Sequence, residues 1–125
     1  MVKKSKLILF VIRRNEVAGK FEVYKDKGGK FRFRLKAGNG QIILTGEAYN
    51  SKDACIAGIE SVKKNSQKET AFETYEDKKG GFRFRLKAGN GEIIGQGESY
   101  TAKSGCANGV ESVKKNAPDA KIIEV

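Results

Sequence analysis

The sequence states one unit twice. Residues Phe21 to Asn65 return as Phe72 to Asn116, with FRFRLKAGNG repeated letter for letter. About two-thirds of the aligned positions are identical at a period of roughly 51 residues, the mark of a tandem duplication. A duplicated unit favours a pseudo-twofold architecture and argues against a single asymmetric catalytic centre. Each copy alone is near the size, roughly 40 to 60 residues, at which a hydrophobic core becomes marginal. The 125 residues are therefore expected to form one domain with a shared core. They divide into a basic extension (1–20), repeat 1 (21–71) and repeat 2 (72–125).

Within a repeat, Phe21 to Asp26 alternates and Phe31 to Lys36 alternates strictly, as F-R-F-R-L-K, so both read as strands. The three residues between them end on Gly29, and on Gly80 in the second copy, where a three-residue hairpin needs a left-handed backbone. That register sets Phe21 against Leu35 and Val23 against Phe33. On the other face it sets Glu22 against Arg34 and Tyr24 against Arg32. Asn39-Gly40 and Asn90-Gly91 mark the next hairpin. Pairing outward places Ala37 by Ile42, Leu35 by Leu44, Phe33 by Gly46 and Arg32 by Glu47.

A helix is expected next, capped by Asn50 and Thr101, with Asp53 and Ser104 completing imperfect capping boxes. Cys55, Ile59 and Val62 share one stripe, as do Cys106, Val110 and Val113. Lys63 and Lys64 suit the negative end of the helix dipole. Gly58 and Gly109 sit mid-helix, which implies close approach to the sheet or to the other helix. A fourth strand is expected near Gln67–Ala71 and again near Lys121–Val125. The class is α+β: two β-β-β-α-β repeats, one antiparallel sheet and two helices on one face.

The run LKAGNG, the I-I strand, a Tyr before the helix and the helix ending G-I/V-E-S-V-K-K-N together resemble the YegP-like family of small bacterial proteins. The resemblance spans both repeats, roughly Lys20 to Asn116, and not the first 20 residues. It implies a three-strands, helix, strand unit, used in tandem or as two subunits, with the last strands exchanged. It brings no catalytic residue to transfer, because the family's biochemical role is not established.

Chemistry-bearing motifs are sparse. There is no histidine, which excludes Cys–His nucleophile pairs and histidine metal sites. Cys55 and Cys106 occupy equivalent positions and read as core residues, neither a disulfide framework nor a zinc site. Glu47 and Glu98 recur, but pairing with Arg32 and Arg83 accounts for them. The Lys-Ala-Gly-Asn-Gly loops lack the spacing of a phosphate-binding loop. No enzyme and no cofactor is expected.

Charge is the remaining signal. The net charge is +10, and residues 1–20 hold six Lys/Arg against one Glu. Lys3, Lys4, Lys6, Arg13 and Arg14 flank the apolar run Leu7–Ile12, which is too short to span a bilayer or to form an ordinary signal sequence. A cytoplasmic location is expected. The run reads as an extra strand, as an arm for nucleic acid, anionic membrane or acidic protein, or as a strand donated to another molecule's sheet. Arg32, Arg34, Lys36, Arg83, Arg85 and Lys87 form a basic stripe on the face opposite the phenylalanines. Cross-strand pairing with Glu22, Glu47, Glu73 and Glu98 is its ordinary reading, and contact with single-stranded nucleic acid the alternative. The leading expectation is a small non-catalytic binding or assembly module, with weakly specific nucleic-acid binding as the runner-up and an enzyme with an unrecognised carboxylate site as the least supported alternative.

Overall fold

The computed structural model describes residues 19–125. The readings made for Lys3, Lys4, Lys6, Arg13, Arg14 and Leu7–Ile12 lie outside the described residues. In chain order the elements are β1 (Lys20–Lys25), β2 (Phe31–Lys36), β3 (Ile42–Thr45) and α1 (Lys52–Asn65). A 3-10 turn (Glu69–Ala71) follows, then β4 (Phe72–Glu76), β5 (Phe82–Lys87), β6 (Ile93–Gln96), α2 (Lys103–Asn116) and β7 (Lys121–Glu124). The seven strands make one sheet in the order β4-β5-β6-β3-β2-β1-β7.

The hairpins close as their turn residues require. Gly29 and Gly80 both have φ 83°, Gly40 has 87° and Gly91 has 89°, the left-handed region that glycine enters without a Cβ penalty. Asp26 Oδ1 accepts from the amides of Gly28 and Lys30, both at 2.9 Å, and Asp77 repeats the device with Lys79 and Gly81. In β1·β2 the register is the expected one, with Phe21 opposite Leu35, Glu22 opposite Arg34, Val23 opposite Phe33 and Tyr24 opposite Arg32. In β2·β3, Leu35 meets Leu44 and Arg34 meets Thr45, but Lys36, not Ala37, meets Ile42. The register shifts between Leu35 and Lys36, because the strand bulges at Ile43 and the Ala37 amide bonds the Gln41 carbonyl.

At the centre of the sheet the repeats meet where β3 pairs with β6, Thr45 opposite Gln96. These residues are 51 apart, so each is the other's repeat mate and the pseudo-twofold axis passes between them. An axis through a sheet seats equivalent side chains against each other. Leu44 lies there, and its mate is Gly95; a Cβ on Gly95 would come within 2.7 Å of Leu44 Cδ2. Side chains at both positions would collide.

Both helices pack on the face that carries the phenylalanines. Phe21, Val23, Phe33, Leu35, Leu44, Phe84 and Leu86 from the strands meet Cys55, Ile59, Val62, Cys106 and Val113 from α1 and α2 in one core. Gly46 lies under the Phe33 ring and Gly97 under the Phe84 ring, so closely that a methyl on either would overlap the ring. Gly58 and Gly109 do mark a close approach. What arrives is the Tyr49 or Tyr100 hydroxyl, neither the sheet backbone nor the other helix.

Three expectations are corrected. The cap of α1 is Ser51, whose Oγ accepts from the Ala54 amide at 3.1 Å, and α2 starts at Ala102 with no side-chain cap. Tyr49 and Tyr100 are still bridged to Phe31 and Phe82, so each helix begins one residue later than expected, and Asn50 is held by Lys30 instead. Second, Gln67–Ala71 contains no strand. At a 51-residue offset β7 corresponds to Thr70–Glu73, and those residues run through the 3-10 turn directly into β4. No chain remains to turn back.

Third, the sheet is antiparallel except at β7, which crosses from repeat 2 to lie parallel to β1 of repeat 1. The exchange of a last strand is therefore present on one side of the pseudo-twofold.

Candidate interaction surface

The face opposite the helices carries the basic stripe, and each described member of it is engaged within the fold. Arg34 Nε donates to Glu22 Oε1 at 2.7 Å, while Lys36 Nζ lies 3.2 Å and Lys20 Nζ 3.7 Å from the same carboxylate. The Arg34 guanidinium also covers the Tyr24 ring at 4.6 Å. The second copy repeats the motif: Arg85 and Lys87 reach Glu73 at 3.1 and 3.2 Å, and Arg85 covers Tyr75 at 3.9 Å. The Arg34 hydrogen bond, helped by Lys36, holds the Glu22 carboxyl below its ordinary range against the opposing effect of burial. Glu73 is lowered first by Lys87 and then by Arg85.

The outer pair departs from the expected partners. Arg32 takes Asp26, at 2.9 Å, rather than Glu47. Arg83 donates to the Gly97 carbonyl, at 3.0 Å from Nη2, rather than to Glu98. The two copies differ here for a local reason. Ser99, which stands where repeat 1 has Ala48, donates its hydroxyl to Asp77 Oδ2 at 2.6 Å, the place Arg32 takes on Asp26.

Cys55 and Cys106 are free and fully buried, and burial pushes both thiols up, away from the nucleophilic thiolate. Among the described residues no group of three His, Cys, Asp or Glu side chains stands together to hold a metal. An open groove of about 460 Å³ runs past Lys36, Ile42, Ile43, Glu98 and Tyr100. Among the described residues no helix is long and apolar enough to cross a membrane.

The two copies differ most at their outer edges, a contrast the sequence did not signal. The outer flank of β1 is covered by β7: Phe21 stands beside Ile122, Glu22 beside Ile123 and Val23 beside Glu124, and the Val125 amide donates to the Val23 carbonyl at 2.9 Å. Their mates on β4 have no strand outside them among the described residues. Glu22's side chain is 8% exposed and Glu73's is 47%. Val23 is buried where Thr74 is exposed, and Phe21 is fully buried where Phe72 is half-buried. Among the described residues the edge of β4 is thus unpaired, and its paired counterpart is visible on β1.

The family comparison follows the same division. The domain of unknown function DUF1508 matches twice, at residues 26–73 and 77–124. The chain belongs to this family. A relative, the UPF0339 protein in the ptx operon 5′ region of Stutzerimonas stutzeri, is 49% identical over 109 residues, covering 87% of this chain and 98% of that protein. A UPF0339 protein of Treponema denticola is 70% identical over 50 residues, which are 40% of this chain and 86% of that one: a relative with one repeat only. The solution structure of yegP from E. coli, a protein of unknown function, superposes with a TM-score of 0.82 at 42% identity, covering 86% of this chain and 93% of that one. DUF1508 thus fixes the architecture and assigns no activity.

Proposed function

We propose that the protein is a small non-catalytic binding and assembly module that works through an exposed sheet edge. The edge of β4, unpaired among the described residues, carries this reading. Unpaired strand edges recruit strands, and proteins that leave one open either blunt it or use it. β4 (FETYE) has no proline and no lysine within it. The one-repeat relative adds support: a single unit whose last strand crosses over, as β7 does here, needs another unit to receive it. The reduced, buried cysteines suit a cytoplasmic setting.

Sedimentation of the full chain over a range of concentrations tests the reading, beside the Thr74→Pro variant. The Val23 carbonyl points at β7, so the backbone groups of its mate Thr74 point out of the sheet, and proline there removes an outward donor without breaking β4·β5. Wild type should gain mass with concentration and Thr74→Pro should not. A mass independent of both concentration and this substitution would overturn the proposal.

A second reading, weakly specific nucleic-acid contact, is favoured by one observation: Lys20, Arg34 and Lys36 share a single carboxylate, which leaves that part of the face cationic. Oligonucleotide anisotropy decides it. Phosphate binding should fall with salt at a log–log slope of about −0.7 per neutralised phosphate and weaken in Lys36→Ala. Absence of binding at low salt sinks it.

A further inference from the structure

We propose that the edge of β4, unpaired among the described residues, takes Leu7–Ile12 of a second copy as a parallel strand, so that two chains exchange these segments reciprocally. The inference rests on the edge reading above and names the strand that the edge takes.

The filled counterpart sets the specification. On β1 the outer strand is parallel, apolar at its centre (Ile122, Ile123) and begun by a lysine. Transferred across the pseudo-twofold, the register calls for an extended run of about four to six residues whose centre lies beside Phe72–Thr74. It would cover the half-buried Phe72 as β7 helps to cover Phe21. Leu7-Ile8-Leu9-Phe10-Val11-Ile12 meets this description: six apolar residues rich in β-branched and aromatic types, entered through Lys6. Charge agrees. β4 exposes Glu73 and Glu76, and the segment is flanked by Lys3, Lys4, Lys6, Arg13 and Arg14.

Reach selects the second copy. From β1 to a strand outside β4 is six strand spacings, about 29 Å at about 4.8 Å each. The eight residues from Ile12 to Lys20 span at most about 29 Å fully extended. That path would have to pass, with no slack, around the β2–β3 and β4–β5 turns, which the strand directions place at the end of the sheet where β1 begins. A neighbouring molecule has no such constraint. Reciprocal donation also closes the assembly at two chains, each edge being consumed by the other's segment.

The test uses the full chain and two single variants, Phe10→Lys in the donor and Thr74→Pro in the acceptor, with mass read by light scattering. Wild type should be a dimer and each variant a monomer. An equimolar mixture should recover a dimeric species, because one partner keeps its acceptor and the other its donor.

Loss of the dimer in Thr74→Pro but not in Phe10→Lys overturns the donor assignment and leaves the edge reading standing. A wild type that is monomeric at all concentrations, with the Thr74 amide exchanging freely, overturns both. A monomer with a protected Thr74 amide makes the segment its own chain's strand and overturns the exchange. Growth beyond the dimer would point to the β7 edge of a neighbouring copy and likewise overturn it. Should Thr74→Pro fail to fold, amide exchange at Thr74 replaces it. Exchange should slow with concentration in wild type and not in Phe10→Lys, and equal behaviour in the two counts against the proposal.

Discussion

At the scale of single residues, glycines record where the fold has no room. The contact of Phe33 with Gly46 was legible, because the Asn-Gly turn fixes the register and the register sets a ring against a residue with no side chain. Gly97→Ala should force the buried Phe84 ring to move and cost about 1–3 kcal/mol, read as a lower urea midpoint at unchanged slope. The opposition of Leu44 and Gly95 was not legible. It exists only because the two repeats meet at equivalent strands, which no local pattern announces. The ionic pairs divide in the same way: Arg34 with Glu22 follows from hairpin register, whereas Arg32 with Asp26 depends on how a long side chain bends over a turn.

Glu22 makes a pH prediction. Its carboxyl is held below the ordinary 4.5, chiefly by the Arg34 hydrogen bond, so the folded state favours the carboxylate. That contribution is complete above the unfolded pKa and is lost as pH falls through the lowered folded value. Wild type should therefore lose its stability advantage over Glu22→Gln as pH drops below about 4.5. Urea midpoints across that window measure it, and a constant difference between the two proteins would count against the carboxylate's role.

At the scale of elements, the strands and helices were read from period and turn chemistry, and the errors sit at their ends. The helix start was placed one residue early because Asn and Thr are good caps, while the Tyr49 and Tyr100 bridges keep the chain in the sheet for one more step. The consequence is an asymmetry between the copies: α1 is capped by Ser51 and α2 begins at Ala102 without a side-chain cap. Ala102→Ser should stabilise the protein by about 0.5–2 kcal/mol, and Ser51→Ala should destabilise it by a similar amount. Thermal melts of both variants test the pair, and equal midpoints for Ala102→Ser and wild type would show that the terminus is already satisfied. The bulge at Ile43 and the missing strand at Gln67–Ala71 were not legible. The first depends on strand twist and the second on chain length shared with β4, neither of which is carried by side-chain pattern.

At the scale of the whole molecule, one crossing decides the outcome. β7 leaves repeat 2 and completes repeat 1, so the two copies are interlocked and should unfold as one cooperative unit rather than one after the other. The same crossing spends the last strand on one side only, and among the described residues the other side carries no outer strand. A repeat period predicts two equal halves; what makes them unequal is that β7 pairs with β1, whereas its equivalent Thr70–Glu73 is used up in the 3-10 turn and β4. Function, on this account, resides in that inequality.

Amide hydrogen exchange at Thr74 and at its mate Val23, followed against protein concentration, tests this most directly. The account predicts that Val23 is protected at every concentration, because β7 is always present, and that Thr74 exchanges freely when dilute and slowly when concentrated. Free exchange of Thr74 at every concentration would contradict it.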